Sequence, residues 1–123
     1  MEKYEELSPL ALAFMGDAVH TAFVRKYVLE GQANKMQNYH TKASKFCNAK
    51  WQMNVLEKLL PNLAESELDI IRKARNCHSK HTAKNFDEET YKKATAFEAL
   101  IGFLFLSGQK ERLKEILKIS IEE

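Results

Sequence analysis

Two stretches of this chain, LALAFMGDAVHTAFV (residues 10–24) and ATAFEALIGFLFL (residues 94–106), are apolar at almost every position. Each carries one acidic residue in its interior, Asp17 in the first and Glu98 in the second. A helix that is hydrophobic all round must be covered on every side, by the rest of the chain or by a partner. Both stretches are therefore expected deep in the protein. A carboxylate in such surroundings has to be paired, metal-bound or protonated, because an isolated charge in an apolar interior is heavily penalised. Each stretch also holds a glycine, Gly16 and Gly102, which costs about 1 kcal/mol relative to alanine inside a helix. Close backbone approach would explain that cost. Helical spacing puts Asp17 on one face with Ala13, His20 and Thr21, and Glu98 with Ala94, Thr95 and Gly102. Where those faces cross, the two carboxylates converge on one cation. The competing reading for either acid alone is a carboxylate satisfied by Thr21 or Thr95, or by a basic side chain.

The remaining chain reads as helical, with no period-2 alternation between turn signals and with only two prolines and four glycines. Ser8-Pro9 is a helix start, a hydroxyl cap followed by a proline whose missing N–H costs nothing in the first turn. This helix is expected to run to about Leu29 and to end at Gly31. Further helices are expected over Ala33–Lys45 and Asn48–Leu60, the latter stopped at Pro61. A shorter one, capped by Ser66, should reach Ala74. Residues 75–86 read as a polar, basic loop, after which Asp87 or Asn85 starts a long helix to Leu106. A final amphipathic helix presents Leu113, Ile116, Leu117 and Ile121. The expected class is all-α. At 123 residues the chain is one domain, residues 1–123, large enough to bury a core.

Net charge is only +2, so total charge selects no partner. Its distribution is more informative. Arg25, Lys26, Lys35, Lys42, Lys45 and Lys50 stand against the single acid Glu30 in residues 25–50, and residues 72–84 (RKARNCHSKHTAK) contain no acid. Such patches fit an anionic ligand gripped at a defined place; the plainer alternative is a solvated charged face. Cys47 and Cys77 are isolated thiols without a CxxC pair, and the start MEKYEELSP has no leader pattern, so a reduced, cytoplasmic setting is expected. No uncharged apolar run reaches the roughly 18 residues of a membrane span. The chain has no GxxxxGK[ST], GxGxxG, HExxH, Glu-x-x-His or GxSxG, which removes the support for nucleotide loops, zinc proteases, di-iron bundles and nucleophile elbows. Cys77, His78 and His81 lack a second ligand pair for zinc; their roles, and that of His20, stay open. Trp51 is expected to pack in the core.

FMGDAV followed far downstream by FEALIGFLFL resembles the two signature segments of the ribonuclease III catalytic domain. The intervening RNCHSKHTAKN, ahead of an acidic helix start, is similar to its compact branch, Mini-ribonuclease III. The likeness runs from Pro9 to about Leu117. It implies an all-helical, homodimeric, Mg²⁺-dependent endonuclease on double-stranded RNA. Asp17 and Glu98 match the acids central to metal binding and cleavage. Arg75, Asn76, Ser79, Lys84 and Asn85 match a loop lying along the RNA; Arg72, Lys73 and Lys80 join them as basic candidates. The wider family has further carboxylates four residues before the aspartate and three before the glutamate. Here those positions are Ala13 and Thr95, as in the compact branch, which leaves fewer anionic ligands for a second metal ion.

The resemblance further implies maturation of the large-subunit (23S) ribosomal RNA precursor, by cutting a paired stem. With no double-stranded-RNA-binding module expected, the catalytic domain has to grip substrate itself, with a ribosomal protein as a candidate aid to selectivity. The rival reading is a non-catalytic helical adaptor that binds RNA or protein through its basic patches. It predicts indifference to Mg²⁺ and to Asp17→Asn. The second expected contact is between copies of the chain, through the first helix around Phe14, Val19 and Phe23.

Overall fold

A computed structural model describes residues 4–31, 35–77 and 87–123. Six α-helices follow in order: α1 (Pro9–Glu30), α2 (Met36–Cys47), α3 (Ala49–Leu59), α4 (Glu65–Arg75), α5 (Glu88–Leu106) and α6 (Lys110–Ile119). Short 3₁₀ turns cover Tyr4–Glu6 and Leu60–Asn62. Among the described residues there is no β-strand, so the all-α expectation holds.

The start of α1 follows local chemistry. Ser8 accepts a hydrogen bond from the Ala11 N–H at 3.1 Å, and Pro9 occupies the first turn. At its other end Gly31 donates to the Val28 carbonyl at 3.1 Å from an extended conformation. Asn48 separates α2 from α3 and caps α3 by accepting from the Trp51 N–H at 2.8 Å. Asp87 caps α5 through the Thr90 N–H at 2.7 Å. After Ser107, Gly108 takes φ of 74°, a left-handed geometry that glycine adopts without a Cβ penalty, and stops the helix.

Several boundaries differ from the expectation. α2 begins at Met36 and runs on to Cys47. α4 starts at Glu65, with Ala64 rather than Ser66 at its N-cap, because Glu67 reaches back to accept from the Ala64 N–H at 2.8 Å. Buried Glu67 is in turn held by Arg112 of α6 through contacts of 2.8 and 2.9 Å. α4 then extends through Arg75, so this residue belongs to a helix and not to the loop. Ile121 lies beyond the end of α6 and packs with a different group of side chains from Leu113, Ile116 and Leu117.

The core is built around α5, which packs against α1, α3, α4 and α6. Ala96, Phe97, Ala99, Leu100, Ile101 and Leu104 are fully buried there. A second cluster forms where Val24 and Val28 of α1 meet Phe46 of α2 and half-buried Trp51, whose Nε1 donates to the Ser120 carbonyl at 2.7 Å. The α1–α5 crossing sets the geometry of the whole fold. A Cβ on Gly16 would lie 1.7 Å from the Glu98 carbonyl oxygen, and one on Gly102 would lie 1.9 Å from that of Leu12. The two backbones therefore touch, and the glycines are required by this contact.

A candidate metal centre at the crossing of α1 and α5

The glycine contact brings Asp17 and Glu98 together, since each acid neighbours or spans its own crossing residue. Their side chains come close enough for a hydrogen bond between them to raise the pKa of Glu98. Two carboxyl groups can make such a bond only if one holds a proton, and Glu98 is the holder: its pKa is raised to about 8, by burial first and then by the bond to Asp17 and its charge. Gln52 of α3 opposes the shift by a hydrogen bond to the Glu98 side chain.

The expectation of two deeply buried carboxylates is corrected here. Glu98 is half-buried, but Asp17 is exposed. Leu12, Ala13, Gly16, His20 and Val24 take the inward face of α1, which leaves Asp17 on the rim with its neighbour Phe14 81% exposed. The pair thus has a buried side and a solvent side. That suits a hard divalent cation, which favours oxygen ligands and keeps several waters. A cation between the two oxygens would also replace the proton that Glu98 now holds. Among the described residues no cluster of three or more His, Cys, Asp or Glu side chains suits a metal, so the two acids are the protein's candidate ligands.

Behind the pair, His20 is 1% exposed, with its Nδ1 3.3 Å from Gln52 Nε2 and its ring edge-on to Phe97 at 5.1 Å. Its pKa is lowered to about 4 by burial, against a smaller upward pull from Asp17, so the ring is neutral at pH 7. Half-buried Cys47 lies close by; burial pushes its thiol pKa up, neighbouring Thr21 opposes that, and the charges of Asp17 and Glu98 push it up again. Gln52 was missed in the sequence. Its signal was a polar residue in the apolar stripe Gln52, Val55, Leu56, Leu59 of α3, all four of which are buried.

The basic candidates are found partly elsewhere. Arg72 and Lys73, on the last turn of α4, both pair with Asp69, at 3.1 and 3.0 Å. Arg75 pairs with Glu89 of α5 at 2.5 Å, and Asn76 is the exposed C-cap of α4. A cleft of about 520 Å³ is lined by Arg72, Arg75, Asn76, Glu89 and Lys92. Exposed ion pairs of this kind contribute at most about 1 kcal/mol, so their cations are easily given up to a phosphate. Ser79, Lys80, Lys84 and Asn85, with His78 and His81, lie outside the described residues.

Comparison with known proteins shows the family. Residues 10–109 match the family model of the ribonuclease III domain. The chain is 45% identical over 111 residues to Mini-ribonuclease 3 of Brevibacillus brevis, covering 90% of this chain and 83% of that protein. It is 42% identical to Mini-ribonuclease 3 of Staphylococcus aureus, over 90% of this chain and 84% of that one. Identity to Mini-ribonuclease 3 of Enterococcus faecalis is 37%, over 100% of this chain and 95% of the relative. A crystal structure of a Fusobacterium nucleatum protein superposes with a TM-score of 0.84 at 33% identity, covering 94% and 92% of the two chains. With its two acids brought together across a glycine-paired crossing, the chain belongs to the ribonuclease III family, in its Mini-ribonuclease 3 branch, and is an endoribonuclease.

Proposed function

We propose that this chain hydrolyses double-stranded RNA with Mg²⁺ held by Asp17 and Glu98, leaving 5′-phosphate and 3′-hydroxyl ends, and that it matures the 23S ribosomal RNA precursor. The observation that carries the reading is the Asp17–Glu98 contact, a half-buried carboxyl with a raised pKa beside an exposed one at the edge of solvent. Bound there, Mg²⁺ would supply Lewis acidity toward the scissile phosphate and a more acidic water. Asp17 and Glu98 bind and orient from opposite helices, and Glu98 must first release its proton. Behind them, fully buried Phe97 packs edge-on against His20. Arg72, Lys73, Arg75, Asn76, Ser79, Lys80, Lys84 and Asn85 are the proposed contacts to the duplex backbone. A-form RNA is recognised largely by shape, phosphates and 2′-hydroxyls, so base-reading aromatics are unnecessary.

The proposed assembly is a homodimer, which would present one site to each strand of a duplex. Support comes from the outer face of α1, where Leu10, Phe14 and Leu29 are 40%, 81% and 61% exposed in the single chain. Val19 and Phe23, expected on that face, are half-buried against the core instead. A ribosomal protein that shapes the precursor stem is a further proposed partner. No helix among the described residues is long and apolar enough to cross a membrane, and a cytoplasmic location is part of the proposal.

The test incubates pure protein with a precursor stem and with arbitrary duplex, with and without Mg²⁺. Metal-dependent cleavage, faster on the stem, is expected, and Asp17→Asn and Glu98→Gln should each abolish it. Cleavage by either variant at the wild-type rate would remove the site assignment. Normally matured 23S ends after deletion of the gene, in a host without a redundant nuclease, would remove the biological one.

A further inference from the structure

Gln52 stands where leucine would serve packing better. It lies on the inward face of α3 with Val55, Leu56 and Leu59 and is 4% exposed. Burying an amide costs roughly 1–3 kcal/mol unless its hydrogen bonds are supplied. Here the amide has partners within reach. Gln52 Nε2 lies 3.3 Å from His20 Nδ1, and the same amide sits close enough to the Glu98 carboxyl to pull its pKa down. A hydrogen bond that lowers a carboxyl pKa is one donated to its oxygen, so the amide nitrogen gives one N–H to Glu98 and has the other for the imidazole. His20 is itself immobilised, 1% exposed and edge-on to Phe97. Its Nε2 has no partner among the described residues, so Gln52 is the side chain that fixes the ring. Three helices are thereby tied together behind the acid pair: α1 through His20, α3 through Gln52 and α5 through Glu98.

We infer that Gln52 is a positioning residue: anchored on His20, it holds the Glu98 carboxylate turned toward Asp17, so that a cation meets an ordered pair. The inference rests on the reading of Asp17 and Glu98 as metal ligands. Partners of this kind, which orient a ligand without touching the metal, typically change metal affinity or activity by about 10–100-fold when removed. Gln52 touches neither metal nor RNA in this scheme. Its loss should therefore weaken metal binding and lower kcat, and should leave the KM for RNA nearly unchanged.

The test uses Gln52→Met, which keeps the length of the side chain and removes both hydrogen bonds. Mn²⁺ binding to the RNA-free protein is followed by electron paramagnetic resonance, and duplex cleavage is measured at fixed, subsaturating Mg²⁺. Mn²⁺ affinity and kcat are each expected to fall by about 10–100-fold. Wild-type Mn²⁺ affinity and kcat, or a change confined to KM, would overturn the inference. Asp17→Asn and Glu98→Gln run in the same series distinguish the two possible failures. If these bind Mn²⁺ and cleave like wild type, the reading of the site fails and this inference with it. If they are inactive while Gln52→Met behaves as wild type, only the role of Gln52 is lost. Should Gln52→Met not fold, His20→Phe decides, because it removes the anchor and leaves the bond from Gln52 to Glu98. Weaker Mn²⁺ binding at unchanged KM then supports the positioning role, and wild-type values overturn it.

Discussion

Half-buried Glu98 and buried His20 are two titratable side chains behind one rim, and their pH dependences run in opposite directions. Glu98 has its pKa raised to about 8 in the folded chain. A carboxyl with a raised folded pKa favours the protonated fold, so its stability contribution is lost as pH rises from about 4.5 through about 8. Without metal, Glu98→Gln should therefore raise the melting temperature at pH 8.5 and have little effect at pH 4.5; equal effects at both would contradict the shared proton. Magnesium competes with that proton, so the half-saturating Mg²⁺ for cleavage should fall between pH 6.5 and 8.5. A half-saturation independent of pH would count against Glu98 as a ligand. His20 is lowered to about 4. Its neutral form is the folded one, so stability is full above about 6.5 and lost as pH falls through about 4, by about 3 kcal/mol in all. His20→Phe should flatten the acid limb of a denaturation series, and an unchanged limb would show that other groups govern it.

Gly16 decides the position of α1 against α5. Alanine is the better helix former by about 1 kcal/mol, so propensity alone predicts that Gly16→Ala stabilises. The crossing predicts the reverse, because the added methyl would lie 1.7 Å from the Glu98 carbonyl oxygen, and backbone cannot rotate away as a side chain can. Overpacking costs typically 1–3 kcal/mol and more where nothing can yield. Gly16→Ala should lower stability by about 3 kcal/mol net and, by separating the helices, weaken divalent binding as well. Denaturant unfolding with a parallel Mn²⁺ titration checks both. A stabilised variant would mean the helices are further apart than described. Gly31→Ala makes a control, since its Cβ would meet only the Val28 carbonyl oxygen, at 3.3 Å.

At the scale of the molecule, the outer face of α1 and the end of α4 carry the remaining expectations. Phe14→Glu places a charge on a side chain that is 81% exposed in the single chain, so the fold should survive the change. Sedimentation should show wild-type dimers and variant monomers, with cleavage lost in the variant. A monomeric wild type with full activity would end the dimer proposal. For the basic cluster, neutralising Arg72, Lys73 and Arg75 together should flatten the salt dependence of duplex binding. If Z of them touch phosphates, the slope should fall by roughly 0.7–0.9 Z, as counterion release predicts for nucleic acids. An unchanged slope would mean that Asp69 and Glu89 retain these cations in the complex.

Helix order and most helix ends were legible in the sequence, because they rest on short-range chemistry. A hydroxyl before a proline, an aspartate ahead of an acidic turn and a glycine inside an apolar helix each act within a few residues of themselves. The exceptions depend on partners distant in the chain. Glu67 moved the start of α4 because Arg112, 45 residues away, holds it. Asp17 was expected to be buried, but apolarity on every side of α1 does not say which side the chain itself will cover. The α1–α5 contact gave the inner face to Gly16 and His20 and left Asp17 and Phe14 outside. By residue type nothing in the sequence sets Gln52 apart from the other polar residues of its helix. Only the packing of α3 beside the crossing set it beside His20 and Glu98, where an amide has a donor for each and an aliphatic side chain has none.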